Sequence, residues 1–214
     1  MDLVSQNLLM TSGGKKSTYV DDVFSTYLYR GSSTSGSGPA QTITNGVDVA
    51  GEGGLVWLKS RTANNEHSLS DTVNGAGKRV QSQSNTTLDT TTASVSGFTN
   101  SGFTLPGGWN PAVNAGNQEY VSWSFRKAPG FFDVVTYTGT GSARTVSHNL
   151  GSVPGCIMVK RTDGGSEDWV VYHRGNSDIL GNNPGHYYLY LNDVNGYMGG
   201  ASRFNNVAAT SAEF

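Results

Sequence analysis

The sequence predicts an all-β protein. Three observations carry that reading: the residue types it lacks, the alternation inside its apolar runs, and an internal repeat. Hydrophobic residues make up 36% of the 214-residue chain and charged residues 14%, below the typical shares of about 45–50% and about 25%. The difference is taken up by Gly, Ser, Thr and Asn, which punctuate strands and decorate polar sheet faces. Low charge with many aromatic residues excludes a disordered chain, which needs the opposite.

The repeat sets the organisation. Tyr27-Leu28-Tyr29-Arg30-Gly31 is answered by Val135-Thr136-Tyr137-Thr138-Gly139, and Gly54-Leu55-Val56-Trp57-Leu58-Lys59 by Gly155-Cys156-Ile157-Met158-Val159-Lys160. Lys59 falls on Lys160 and Glu66 on Glu167, with a one-residue slip absorbed in the loop between. The period of about a hundred residues lies far above the roughly 20–50 of solenoids and propellers. The prediction is two tandem, related β-sandwich-like units behind an N-terminal arm. The arm spans residues 1–19, the first unit 20–128, and a second, incomplete unit 129–214. Tandem beads of this kind bind or space things rather than catalyse.

Each element has its own justification. The leading segment carries Leu3, Leu8, Leu9 and Met10 ahead of a Thr/Ser/Gly/Lys loop. It cannot bury those side chains alone, so it reads as a docking arm that orders against another subunit. Residues 19–29, 41–44 and 54–61 read as strands. In the last of these Val56 and Leu58 point one way and Leu55, Trp57 and Lys59 the other, as in a strand covered on both faces. Residues 74–104 read as short strands between long loops, and residues 106–111 as a turn. The run 120–127 alternates, with Val121, Trp123 and Phe125 expected inward and Tyr120, Ser122 and Ser124 outward. Ala128-Pro129-Gly130 ends it. Further strands are expected at 131–138, 142–148, 156–161, 169–173 and 187–191. No counterpart of the 120–125 strand follows the second unit. Either the chain is a fragment of a longer one, the preferred reading, or the missing strand comes from a neighbour.

Candidate chemistry is sparse. A formal net charge of −2 gives no surface able to neutralise a row of phosphates, so nucleic acid is not an expected partner. The single cysteine, Cys156, lies in an apolar strand and is expected as a small buried hydrophobe. The N-terminus lacks the basic and apolar regions of a signal peptide, and no apolar run is long enough for a membrane span. A chain made in a reducing cytosol is expected.

His67, His148, His173 and His186 lack ligand spacing, so neither a metal nor a cofactor is assigned. No Gly-x-Ser-x-Gly elbow joins a strand to a helix. The carboxylates Asp21-Asp22, Glu66 with Asp71, and Glu167-Asp168 are the candidates for glycoside hydrolysis, whose required carboxylate separation is not defined by spacing along the chain. Glu66 and Glu167, at equivalent places after the same strand, read instead as loop anchors. Asp193-Val194-Asn195-Gly196 reads as a turn rather than a calcium loop. No catalytic residue is assigned, and the chain is not expected to be an enzyme. The better binding signal is aromatic: Trp109 in a turn, and Tyr187, Tyr188, Tyr190 and Tyr197 near Asn192, Asp193 and Asn195. Flat rings beside amides and carboxylates suit saccharide faces.

The residues 19–29, with Gly53-Gly54-Leu55-Val56-Trp57-Leu58-Lys59, resemble the N-terminal region of tail-fibre and tail-appendage proteins of marine, cyanophage-like bacteriophages. Phe132-Asp133-Val134-Val135-Thr136-Tyr137-Thr138-Gly139, with His148-Asn149-Leu150-Gly151, Pro154-Gly155, Lys160 and Trp169, resembles the β-module repeated in those fibres. The resemblance implies a virion component assembled in the host cytoplasm. In it the leading segment would attach to tail adaptor or nozzle proteins, and the β-modules would form a proximal, homotrimeric fibre. Receptor contact would then lie at a distal tip. The alternatives are a lectin-like module that binds a host surface glycan and a capsid-decoration protein.

Overall fold

The computed structural model describes residues 18–33, 38–91, 94–176, 183–195, 198–200 and 203–214. The docking residues Leu3, Leu8, Leu9 and Met10, and Tyr197, lie outside the described residues. The fold is all-β, built from three antiparallel sheets. After the helical turn α1 (Val20–Val23) the chain runs through β1 (Phe24–Arg30), β2 (Gln41–Thr44), β3 (Gly54–Ser60) and β4 (Ser68–Asp71). It continues with β5 (Gly97–Thr99), β6 (Gly102–Leu105) and β7 (Glu119–Arg126). The second half contributes β8 (Cys156–Val159), β9 (Val170–His173), a 3-10 turn (Pro184–His186), β10 (Tyr187–Tyr190) and β11 (Met198–Gly199).

The first strand starts later than the alternation predicts. Asp22 accepts a hydrogen bond from the Tyr19 N–H at 2.9 Å, and this local carboxylate closes a helical turn before the extended run begins.

The sheet β1-β7-β3-β4 and the sheet β2-β6-β5 close over one core. Tyr29, Val56, Leu58 and Tyr120 come from the first sheet, and Ile43, Phe103 and Leu105 from the second. The rings of Tyr29 and Tyr120 stack at 5.1 Å between centroids. Burial first, and the neighbouring Tyr120 second, push the Tyr29 phenol well above its ordinary value. Its hydroxyl stays protonated and donates to the Val113 carbonyl at 2.8 Å.

Strand β7 faces the opposite way from the expectation. Ser122 and Ser124 are fully buried beside Tyr120, and the half-buried Trp123 and Phe125 lie on the other face. The serines are satisfied there. Ser124 Oγ accepts from Asn45 Nδ2 at 2.8 Å, and Ser122 Oγ donates to the Tyr27 carbonyl at 3.4 Å. Small side chains leave room for the tyrosine pair and the second sheet, whereas a valine and two bulky rings would overfill that space.

The outer face of the same sheet carries a second apolar cluster of Leu55, Leu69, Val80 and Trp169, with Trp57, Phe125 and Phe132 packed against it. Trp169 comes from the second half, is 5% exposed, and donates its indole N–H to the Gln81 carbonyl at 2.8 Å. Nearby, Lys160 Nζ donates to Asn85 O at 2.9 Å, Glu167 N–H to the same carbonyl at 3.1 Å, and Leu88 N–H to Thr162 O at 3.3 Å. Under the same loops Arg79 is buried and paired with Asp89 at 3.1 Å. The joint between the halves is clamped by Lys127, whose ammonium meets Asp133 at 2.9 Å. Burial alone would raise the Asp133 carboxyl, but bonds from the Asn149 N–H, Lys127 and the Val134 N–H outweigh it and hold the group below its usual range.

The second half forms the sheet β11-β10-β9-β8. The hairpin β8–β9 stands at the repeat position of β3–β4. The predicted strands at 131–138 and 142–148 do not form; the latter makes a single bridge, Ser147 to Glu213. In the first half β1 pairs with β7 alone. Among the described residues, 131–138, the copy of β1, meet no copy of β7 and so have no ladder to join. Cys156, expected to be buried, is exposed because the neighbouring strand that would cover it is absent from the described residues.

Truncating Trp169 to Ala is expected to destabilise the protein by about 3 kcal/mol in urea unfolding, since a buried ring and its hydrogen bond are lost together. Trp109→Ala, at an exposed turn, should stay within about 0.5 kcal/mol of the parent.

Candidate functional site

An apolar groove of about 450 Å³ lies between the two halves. One wall is the outer face of the first sheet, where Leu55 and Trp57 of β3 stand opposite Phe125 and Trp123 of β7. The alternation of β3 fixes this: Val56 and Leu58 enter the inner core, so Leu55 and Trp57 must face out. The floor is the turn after β7, where Phe131 and Phe132 pack on Phe125 at 6.4 and 5.3 Å. The far wall is Val153 and Pro154 with the edge strand β8, whose Cys156 and Met158 side chains line the space. Phe131, Val153 and Met158 are 41%, 44% and 39% exposed. These side chains leave apolar surface open in one concave place.

One polar device sets the wall. Trp57 donates its indole N–H to Nδ1 of His67 at 2.8 Å, which requires that nitrogen to be unprotonated. Burial first, and the neighbouring Lys59 second, push the His67 imidazole below its ordinary value and keep it neutral. Among the described residues no group of three or more His, Cys, Asp or Glu side chains could hold a metal ion.

The aromatic residues singled out by the sequence do not form one site. Trp109 is 49% exposed in the loop after β6, while Tyr187, Tyr188 and Tyr190 belong to β10 in another sheet. Tyr187 and Tyr188 are buried, which corrects the expectation of solvent-facing rings. Tyr188 packs edge-on against Tyr190 at 5.4 Å, and the Arg203 guanidinium lies over it at 5.9 Å. These two rings build their sheet, as the alternating face of a strand demands. Asp193 and Asn195 form a local turn closed by their own side chains. Glu66 and Glu167 do not act alike as loop anchors. The equivalent lysines do: Lys59 Nζ donates to the Ser60 carbonyl at 2.9 Å and Lys160 Nζ to the Glu167 carbonyl at 2.7 Å.

The groove was not singled out from sequence. Its signal lay in two apolar runs, Phe131-Phe132 and 156–159, that belong to a unit with no copy of the 120–125 strand to cover them.

A family described as Domain of unknown function (DUF7483) matches the chain over residues 20–214. The chain belongs to that family. The DUF7483 match begins at the first residue of α1 and takes in both halves of the repeat, the shared Trp169 cluster included. No curated protein and no solved structure matches the chain.

The lowered imidazole of His67 has a pH consequence. An unfolded histidine titrates near about 6.5, and the folded one lower, so the unfolded chain binds the extra proton between the two values. The stabilisation is therefore complete above the unfolded value and is lost as the pH falls below it toward the folded one. Urea midpoints should decline from about pH 7 to about pH 5, a range that brackets the unfolded value, with Trp57 emission shifting in step. In His67→Ala that part of the slope should vanish.

Proposed function

We propose that the chain is a structural component of a bacteriophage virion, the proximal part of a tail fibre that fixes the fibre to the tail and spaces its host-recognition end. The observation that supports this reading best is the joint between the halves. Trp169 buried in the first half's outer cluster, the Lys127–Asp133 pair and the bonds onto Asn85 tie the second sheet to the sandwich. A spacer transmits position only if its modules cannot swing, and buried rings with charged clamps resist swinging far better than a flexible linker does. The resemblance of the first half to the N-terminal region of tail-fibre proteins, and of the second to their repeated β-module, adds the virion context and the trimer. The apolar arm residues Leu3, Leu8, Leu9 and Met10 are the attachment side in this proposal. No catalysis is assigned to it.

The exposed ring of Trp109 favours a second reading, a lectin-like module for a host surface glycan. A glycan array with the chain and with Trp109→Ala separates the two, because only the lectin reading requires binding that the variant loses.

The tail-fibre reading is tested by location. Antibodies against the chain should decorate the tail end of purified particles in negative-stain images, and the Leu8→Ser, Leu9→Ser double variant should leave the particle fraction. Labelling over the head would move the protein to capsid decoration, and full retention of the double variant would end the docking role.

A further inference from the structure

We propose that the outer edge of β8 receives an extended partner segment with the chemistry of β7, small polar residues at alternate positions and aromatic residues between them. The segment would complete the second sheet by main-chain pairing. This inference goes beyond the virion reading and does not depend on it.

Three observations converge on the edge. The first is the direction of the main-chain groups. Thr72 N–H donates to Gly54 O at 3.0 Å and Lys127 N–H to Gly53 O at 2.8 Å, so in β3 the groups of Leu55 and Trp57 face β7. In β8 the Arg174 N–H donates to Gly155 O at 3.0 Å, which by the same alternation turns Ile157 and Val159 toward β9. Cys156 and Met158, the repeat partners of Leu55 and Trp57, therefore present their N–H and C=O groups to the side where no described strand stands.

The second observation is a glycine. At Gly54 an added Cβ would lie 2.2 Å from the Phe125 carbonyl oxygen, because β7 passes there. Its repeat partner Gly155 meets nothing closer than Arg174 Nε at 3.8 Å. The second unit keeps the clearance for a crossing strand at a place where the described chain has none.

The third is the shape of the groove. Residues directly opposite across an antiparallel pair share one face, as Leu55 does with Phe125 and Trp57 with Trp123. A β7-like segment beside β8 would set its aromatic residues next to Cys156 and Met158, which is the side of the groove. Its small polar residues would take the other face. An apolar edge free of charge or proline is a template for such an addition. The segment would also offer its far edge to residues 131–138, where Val135 and Tyr137 are 36% and 45% exposed without a ladder.

The full chain is mixed with a synthetic peptide of the Glu119 to Lys127 sequence, and amide exchange at Cys156 and Met158 is followed by NMR. Saturating peptide should slow both amides by about tenfold or more, and a peptide whose alternation is shifted by one residue should not. Met158→Pro removes an edge N–H but no bond to β9, and should abolish the protection at Cys156. Met158→Lys, which keeps the backbone and charges the groove, should weaken peptide binding. Unchanged exchange in saturating peptide overturns the proposal. So does equal protection by the shifted peptide, which is apolar adhesion. Protection of both amides before any peptide is added, in a self-associated chain, also overturns it, because a sister copy then fills the edge.

Discussion

Strand β7 is hydrogen-bonded along its length to β1 on one side and β3 on the other, and each of its faces belongs to a different core. That double duty organises the molecule. Tyr120, Ser122 and Ser124 supply one large ring and two small polar groups to the sandwich, a combination that lets two sheets approach while the tyrosine hydroxyl still reaches the Pro111 carbonyl at 3.0 Å. Trp123 and Phe125 supply the outer face, where they meet Trp57 and the Phe131-Phe132 turn. A central strand with polar residues inside and rings outside needs something to cover the rings. The second half of the chain is partly that cover.

From this follows the asymmetry between the halves. The first half has a strand in the β7 place and completes two sheets; the second has the same β3–β4 type of hairpin, extended by β10 and β11 on the far side, with the near side open. Where the partner strand is lacking, the copy of β1 stays extended without a ladder, the copy of β3 exposes Cys156 and Met158, and the glycine that makes way for a crossing strand has open space. These differences share a single cause. Hydrogen-bonded extension is cooperative across neighbours, so removing one strand frees the two that would flank it.

The joint between the halves matters for any role in which the chain acts as a rigid part. Trp169 gives the second sheet a hold in the first half's cluster, and Lys160, at the position that in the first half only ties its own loop, reaches across to Asn85. A repeat residue thus keeps its hold on a local loop and also bridges the two halves. Beside this joint lies an apolar groove, and its wall at Trp57 is held by an imidazole that burial keeps neutral.

The sequence by itself determined the all-β class, the repeat, and the strands with clean alternation and two covered faces, β3 and β7 above all. Those features depend on spacing along one chain, which is local. Only the tertiary structure decided which face of β7 is inside, because alternation defines two faces without saying which one another sheet will cover, and serine pairs with small volume beat rings for the tighter side. Likewise it decided that Tyr187 and Tyr188 are buried, that 131–138 forms no strand, and that Trp169 joins the first half's cluster. Each of these depends on a partner distant in sequence being present or absent, and pairing of that kind leaves no trace in the local pattern.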